Sequence, residues 1–271
     1  MPKLRSAQPC PELRPYVRAY AQRNFETADP ITVEPVPAQL EQVLNFELGI
    51  LPGVHHREYR VSSETWIGGS QTCFPGHMRL VPGVESFAIF FQPAGWSQLF
   101  KVPMREITNR IFDAKSVLGH CMRALWNRLG ESSSFERRVA IVEQFLLTRA
   151  TSPAIQNVIA AAVTQLFHQH GGVRIPTLAF ECSLGLRQFE RQFQRDTGAS
   201  PKMFARVARF QAALDAKLAC PKRTWLDIAH SFGYFDQMHM IHDFGTLGRS
   251  TPTQLLAEMG DVRPPALASS L

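Results

Sequence analysis

Apolar positions change their period part-way along the chain. Up to about residue 112 they fall in short runs of strand length. Residues 42–51, QVLNFELGIL, alternate as a strand does, and residues 65–72 contain Gly68-Gly69, a turn or bulge. Residues 77–81 and 86–92 read as further strands, separated by the turn signal Pro82-Gly83. Residues 12–21 read as a short lead-in helix or an extended arm, after which Pro30, Pro35 and Pro37 break the chain. From about Asp113 the period becomes helical. Val117, Leu118, Cys121, Leu125 and Leu129 mark one amphipathic helix; Val139, Val142, Phe145 and Leu146 mark a second, introduced by the serine run 132–134.

Ser152-Pro153 reads as an N-cap and first helical position; beyond it every pattern is helical, up to a Pro/Ala/Ser-rich, frayed tail from Asp261. Residues 155–170 form an amphipathic stretch ending at Gly171-Gly172, and a short helix follows at 176–181. RQFERQFQRDT, residues 187–197, has two faces: Phe189 and Phe193 on one, and Arg187, Glu190, Arg191 and Gln194 in a polar stripe on the other, with Gly198 as its stop. A helix of the same design follows near residue 237. Asp236 caps it, Met240 and Phe244 face inward, and Gln237, Met238, Ile241 and His242 face outward. Each is preceded by a short helix and a glycine-containing turn, the organisation of a helix-turn-helix unit. Ser200-Pro201 opens a long helix between them, Thr224 and Asp227 begin the first helix of the second unit, and Thr251-Pro252 begins the last helix.

Composition narrows the picture only a little. A chain of 271 residues with 45% hydrophobic and 19% charged residues suits two globular domains. The formal charge of +6 is compatible with a polyanionic partner. The five cysteines are odd in number, scattered and free of any Cys-x-x-Cys, which favours reduced thiols in a cytoplasm over disulfides or a zinc ribbon. The start, MPKLRSAQPCPELRPY, lacks an apolar signal region, and no apolar run has the length of a membrane span, so neither is expected.

The segments LAFECSLGLRQFERQFQRDTGASPKMF and DIAHSFGYFDQMHMIHDF resemble the AraC/XylS family of bacterial transcription regulators over residues 153–260, with Phe193, Gly198, Pro201, Ala229, Gly233, Phe244 and Pro252 at family positions. The resemblance implies two recognition helices entering successive major grooves on one face of the DNA, held by the joining helix, about one DNA turn or roughly 34 Å apart. It places base-reading positions on Arg187, Glu190, Arg191, Gln237, Met238, Ile241 and His242, which agrees with the polar stripes; Gln188 and Gln194 complete the base-facing set. The departures are Gly185 and Arg174 at cap positions, Arg249 where a glycine often ends the second recognition helix, and His242 in place of a frequent Arg. Residues 1–150 resemble an uncharacterised effector-type domain attached to some members, in VEPVPAQLEQVLNFELG and SFAIFFQPAGWSQLFKVPMREIT.

The expected architecture is α+β: a β-rich, barrel-like N-terminal domain with flanking helices (1–150), and an all-α C-terminal domain with two helix-turn-helix units (153–260). The expected function is a cytoplasmic, sequence-specific DNA-binding transcription regulator, acting on double-stranded DNA without bond breaking and without a cofactor or metal. Lys202, Arg206, Arg209 and Arg223 are phosphate-contact candidates. The aromatic group containing Phe91, Trp96 and Phe100 is the candidate lining of a small-molecule effector pocket. The helices over residues 115–129 and 135–149 are candidates for a homodimer contact, and RNA polymerase is the expected partner of an activator. The competing reading is an enzyme or ligand-binding protein, for which Glu41, Glu47, His77 and Glu85 are scattered candidates without a recognisable geometry. For a metal, the neighbours His55-His56, expected in a loop beside Pro52-Gly53, together with His77 and the pair His168/His170, give no matching pattern, and Cys10 lacks the cysteine set that thiol repair chemistry needs.

Overall fold

The computed structural model describes residues 3–26, 30–51, 53–56, 59–61, 63–150 and 158–259. The N-terminal half contains β1 (Lys3–Ala7), a 3-10 turn at Pro11–Leu13, β2 (Val17–Asn24), β3 (Thr32–Val36), β4 (Val43–Glu47), β5 (Gly53–His56), β6 (Tyr59–Val61), β7 (Thr65–Gly68), β8 (Gly76–Leu80) and β9 (Glu85–Phe91). Then come α1 (Gly95–Phe100), α2 (Met104–Ile107), β10 (Ile111–Asp113), α3 (Ala114–Leu118), α4 (Cys121–Gly130) and α5 (Phe135–Leu147). The strands form two antiparallel sheets, a six-stranded one in the order β1-β2-β9-β4-β7-β10 and a four-stranded one in the order β3-β8-β5-β6. They face each other as in a barrel that has not closed.

The large sheet is apolar on both faces. Successive side chains of a strand point to opposite sides. Phe87, Ile89 and Phe91 therefore join Leu44, Phe46, Tyr20 and Ile67 in a core beneath α1–α5, to which Met122, Leu125, Leu129, Phe135, Val142 and Leu146 belong. Each fully buried ring or branched side chain there contributes about 1.5–3 kcal/mol. Ser86, Ala88 and Phe90 of the same strand look instead toward the small sheet and line a cavity.

Several sequence expectations shift. Residues 12–21 are the 3-10 turn and most of β2, and His55 and His56 lie on β5 rather than in a loop. Pro35 sits inside β3, which is tolerated because β3 is an edge strand and the missing N–H costs no ladder bond. The helix expected over 115–129 is broken into α3 and α4 at Gly119, whose φ of 83° no L-residue adopts readily. The apolar stripes of α4 and α5 are spent on their own sheet, so they no longer argue for a dimer contact. Gly69 is required by close approach: a Cβ there would lie 1.9 Å from the Ile107 carbonyl oxygen.

The C-terminal half is helical: α6 (Val158–His168), α7 (Ile175–Glu181), α8 (Leu186–Thr197), α9 (Pro201–Ala219), α10 (Trp225–Ser231), α11 (Gln237–Leu247) and α12 (Pro252–Glu258). The cap expected at Ser152-Pro153 and the tail from Asp261 lie outside the described residues. The remaining caps form as the sequence dictates. Ser200, Thr224, Asp236 and Thr251 each accept a backbone N–H of the first turn, and Thr251 with Gln254 makes a full capping box. The long helix α9 serves both units: Phe204 meets Phe193 at 5.2 Å between ring centroids, and Phe210 meets Phe244 at 4.7 Å.

The two halves meet along a buried polar seam at residues 38–42. The Ala38 N–H donates to the Leu247 carbonyl (2.9 Å), and the Leu40 N–H to Gln211 Oε1 (3.0 Å). Gln211 Nε2 donates to Glu41 Oε2 (2.7 Å), and Glu41 Oε1 pairs with Arg18, whose guanidinium lies 4.8 Å from the Phe167 ring centroid. Arg18, Glu41 and Gln211 are all buried.

Candidate nucleic-acid interface and ligand cavity

The first unit is α7, a turn and α8. The left-handed residue of the turn is Ser183 (φ 56°), not Gly185, which takes the N-cap position with φ −64° and no side-chain bond. Its counterpart in the second unit, α10-turn-α11, is Gly233 (φ 70°). Phe189 and Phe193 are wholly buried and anchor α8; Met240, Phe244 and Leu247 do the same for α11. This leaves opposite faces free.

On α8, Arg187, Gln188, Glu190, Arg191 and Gln194 are all exposed. Among the described residues no ion pair joins Glu190 to either arginine, so their donors point to solvent. An exposed guanidinium fork matches guanine O6 and N7. On α11, Gln237, Met238 and His242 are exposed and Ile241 is half-buried, while Gly248 and Arg249 (φ 56°) end the helix.

The four phosphate candidates divide. Lys202 is exposed at the start of α9. Arg206 is instead held by Asp243, Nε to Oδ1 at 2.6 Å, with the carboxylate fully buried, so it fastens α11 to α9. Arg209 is half-buried with its guanidinium 5.5 Å from the Tyr234 ring, and burial raises the Tyr234 hydroxyl well above its ordinary range, with the Asp243 charge adding to this. Arg223 is half-buried, donates to Ser231 Oγ and lies 5.9 Å from the Phe232 ring. Only Lys202 of the four is a long, unengaged side chain in solvent.

The cavity between the sheets has a volume of about 160 Å³. Val43, Trp66, Met78, Leu80, Ala88 and Phe90 supply apolar wall, and Met259, just past α12, closes one side from the C-terminal half. Phe91, Trp96 and Phe100 are not in it. They pack on one another on the opposite face of the large sheet, with centroid distances of 5.2, 5.8 and 4.4 Å. Phe90, the neighbour of Phe91, lines the cavity in its place. The polar end of the cavity is Glu47, 2% exposed. Asn45 Nδ2 (2.6 Å) and Trp66 Nε1 (2.8 Å) donate to Oε1, and Ser86 Oγ donates to Oε2. Burial pushes this carboxyl up to about 7, against the opposing pull of those donors and of Arg23.

The enzyme candidates do not converge. Glu41 belongs to the seam, Glu47 to the cavity, His77 is exposed at the cavity rim, and Glu85 pairs with Arg138. Among the described residues no three His, Cys, Asp or Glu side chains are grouped to hold a metal ion, and no helix is long and apolar enough to cross a membrane.

Two helix-turn-helix units sharing one connecting helix, each with a solvated recognition face, define a DNA-binding domain. Residues 178–258 match the family model described as a helix-turn-helix domain. No curated protein matches the sequence. Three solved structures of ToxT from Vibrio cholerae are similar. An apo single-substitution variant has 6% identity and a TM-score of 0.52, covering 94% of this chain and 100% of that one. The unsaturated fatty acid bound wild type has 6% identity and a TM-score of 0.50, covering 97% and 96%. A complex with (E)-4-(8-methylnaphthalen-1-yl)but-3-enoic acid has 8% identity and a TM-score of 0.50, covering 96% and 99%. At these identities the likeness is one of fold, and it spans both halves.

Proposed function

We propose that the chain is a sequence-specific DNA-binding transcription regulator in which residues 153–260 bind duplex DNA and residues 1–150 sense a small molecule. The observation that carries this reading is the free face of α8: five exposed polar residues on a helix anchored by two buried phenylalanines. Arg187 and Arg191 read guanine edges, Gln188, Glu190 and Gln194 adjoin them, and Gln237, Met238, Ile241 and His242 give the second, weaker half of the readout. Lys202 contacts phosphate; Arg206, Arg209 and Arg223 act mainly by holding the second unit in place.

The sensing role rests on the largely apolar cavity between the sheets and on its wall. Val36, Pro37 and Gln39 line it, and the next residues make the seam to the DNA-binding half. Two of the similar ToxT structures hold small organic acids, which supports a ligand in this fold. The protein acts in the cytoplasm and contacts RNA polymerase when it activates.

Selection of random duplexes by the purified protein, beside the Arg187→Ala/Arg191→Ala double variant, tests the central claim. An enriched motif that the variant loses is expected. Enrichment that survives in the variant would show that α8 is not the reader.

A further inference from the structure

The polar end of the cavity specifies a ligand class, an inference that rests on reading this cavity as an effector site. Glu47 is a carboxylate met by three neutral donors, from Asn45, Trp66 and Ser86. A carboxylate offers about four acceptor positions, so one remains, on Oε2. Among the described residues the other charged side chain of the interior wall is Arg23, and it has a carboxylate beside it: its Nη1 lies 3.5 Å from Glu34 Oε2, both side chains being nearly buried. Ligand charge is therefore judged against Glu47. A ligand carboxylate would bring a second negative charge beside it in a largely apolar cavity, which is disfavoured wherever Glu47 is ionised. A ligand cation would do the reverse, since a buried carboxylate is stabilised by a hydrogen-bonded opposite charge.

The walls agree with this. Trp66 and Phe90 supply aromatic wall to the same space, which suits the hydrocarbon part of a ligand. The volume of about 160 Å³ is close to that of an engineered apolar cavity of about 150 Å³ that takes up benzene. That is room for one ring or its aliphatic equivalent with a short arm.

We propose that the cavity binds a small apolar amine, held as its ammonium against Glu47 with its hydrocarbon part between Trp66, Phe90 and Met259. The burial that raises the Glu47 carboxyl toward neutrality is offset when the ammonium arrives, so the acid is ionised in the complex. Met259 makes the ligand a contact of both halves of the chain.

Calorimetric titration of the full chain with phenethylamine, phenethyl alcohol and phenylacetate at about pH 8 tests this, because Glu47 is then mostly ionised. Phenethylamine is expected to bind at least about ten-fold more tightly than the other two. Ala88→Phe, which fills the cavity, abolishes the binding. Glu47→Gln weakens the amine by about a hundred-fold and leaves the alcohol within about two-fold. If phenylacetate or phenethyl alcohol binds as tightly as the amine and Ala88→Phe still blocks it, the amine class is wrong and the effector cavity stands. If no probe binds, both readings fall. Should Glu47→Gln not fold, the ranking of the three probes on the wild-type chain and their loss in Ala88→Phe decide the matter.

Discussion

The clearest quantitative consequence concerns Glu47 and pH. Its carboxyl is raised from 4.5 to about 7 in the folded chain. Between those values the folded protein holds a proton that the unfolded chain has released. Stability must then fall as pH rises through this window, and the full penalty is present above about pH 7. A difference of about 2.5 units at 1.36 kcal/mol each makes that penalty about 3 kcal/mol. Glu47→Gln removes the titration and keeps the shape: the amide oxygen still accepts from Asn45 and Trp66, and the amide N–H₂ can donate to Ser86 Oγ. The variant should match the wild type near pH 4.5 and exceed it by about 3 kcal/mol at pH 8, the gap widening by about 1.4 kcal/mol per pH unit in between. For a chain of this size that is a rise in Tm of about 6–10 °C at pH 8. Guanidinium unfolding of both proteins, ligand-free, at half-unit pH steps measures it. A pH-independent difference, or a variant less stable than wild type at pH 8, would refute the assignment of Glu47 as a buried, desolvated acid.

Three further outcomes follow from the geometry. Arg187→Ala should cost about 1–3 kcal/mol at one base position and relax specificity there, whereas Lys202→Ala should weaken all sequences alike and lower the salt slope by about one, both read by binding at several salt concentrations. Asp243→Ala leaves Arg206 half-buried without its partner; it should destabilise the chain by about 2 kcal/mol in denaturant unfolding and reduce readout by α11 more than by α8. Gln211→Ala strips the Leu40 N–H and Glu41 Oε2 of buried partners, and should cost about 1–3 kcal/mol, with faster hydrogen exchange at Leu40 as the local signature.

The helical half was largely legible in the sequence because its signals are local. A serine, threonine or aspartate bonds a backbone N–H three residues on, and Phe189 and Phe193 announce their face by spacing alone. The sheet half was not. In SFAIFF both faces are apolar, one toward the helical core and one toward the cavity, so nothing in the alternation distinguishes Phe91 from Phe90. β3 hid behind Pro35, acceptable only because the strand is an edge. Long-range pairing left no trace either: Arg206 looks like a free surface cation until Asp243, 37 residues away, is placed against it, and Arg18, Glu41 and Gln211 are unrelated until the two halves meet. The cavity acid Glu47 could be named as a scattered glutamate, but its burial depends on three strands at once.

The stretch from Val36 to Glu41 belongs to two environments. Its first residues are cavity wall, and its last are bonded to α9 and to the end of α11. A ligand that shifts this stretch changes the freedom of the second recognition helix, and the exchange runs both ways. Whatever factor the amine applies to operator affinity, operator must apply to amine affinity, because the two bindings close one thermodynamic cycle. A coupling of about 1–3 kcal/mol would be read as a 5- to 150-fold change on either side. The ligand's affinity measured on free protein is therefore not the one that governs a promoter-bound molecule, and occupancy of DNA becomes a means of setting the ligand concentration to which the protein responds.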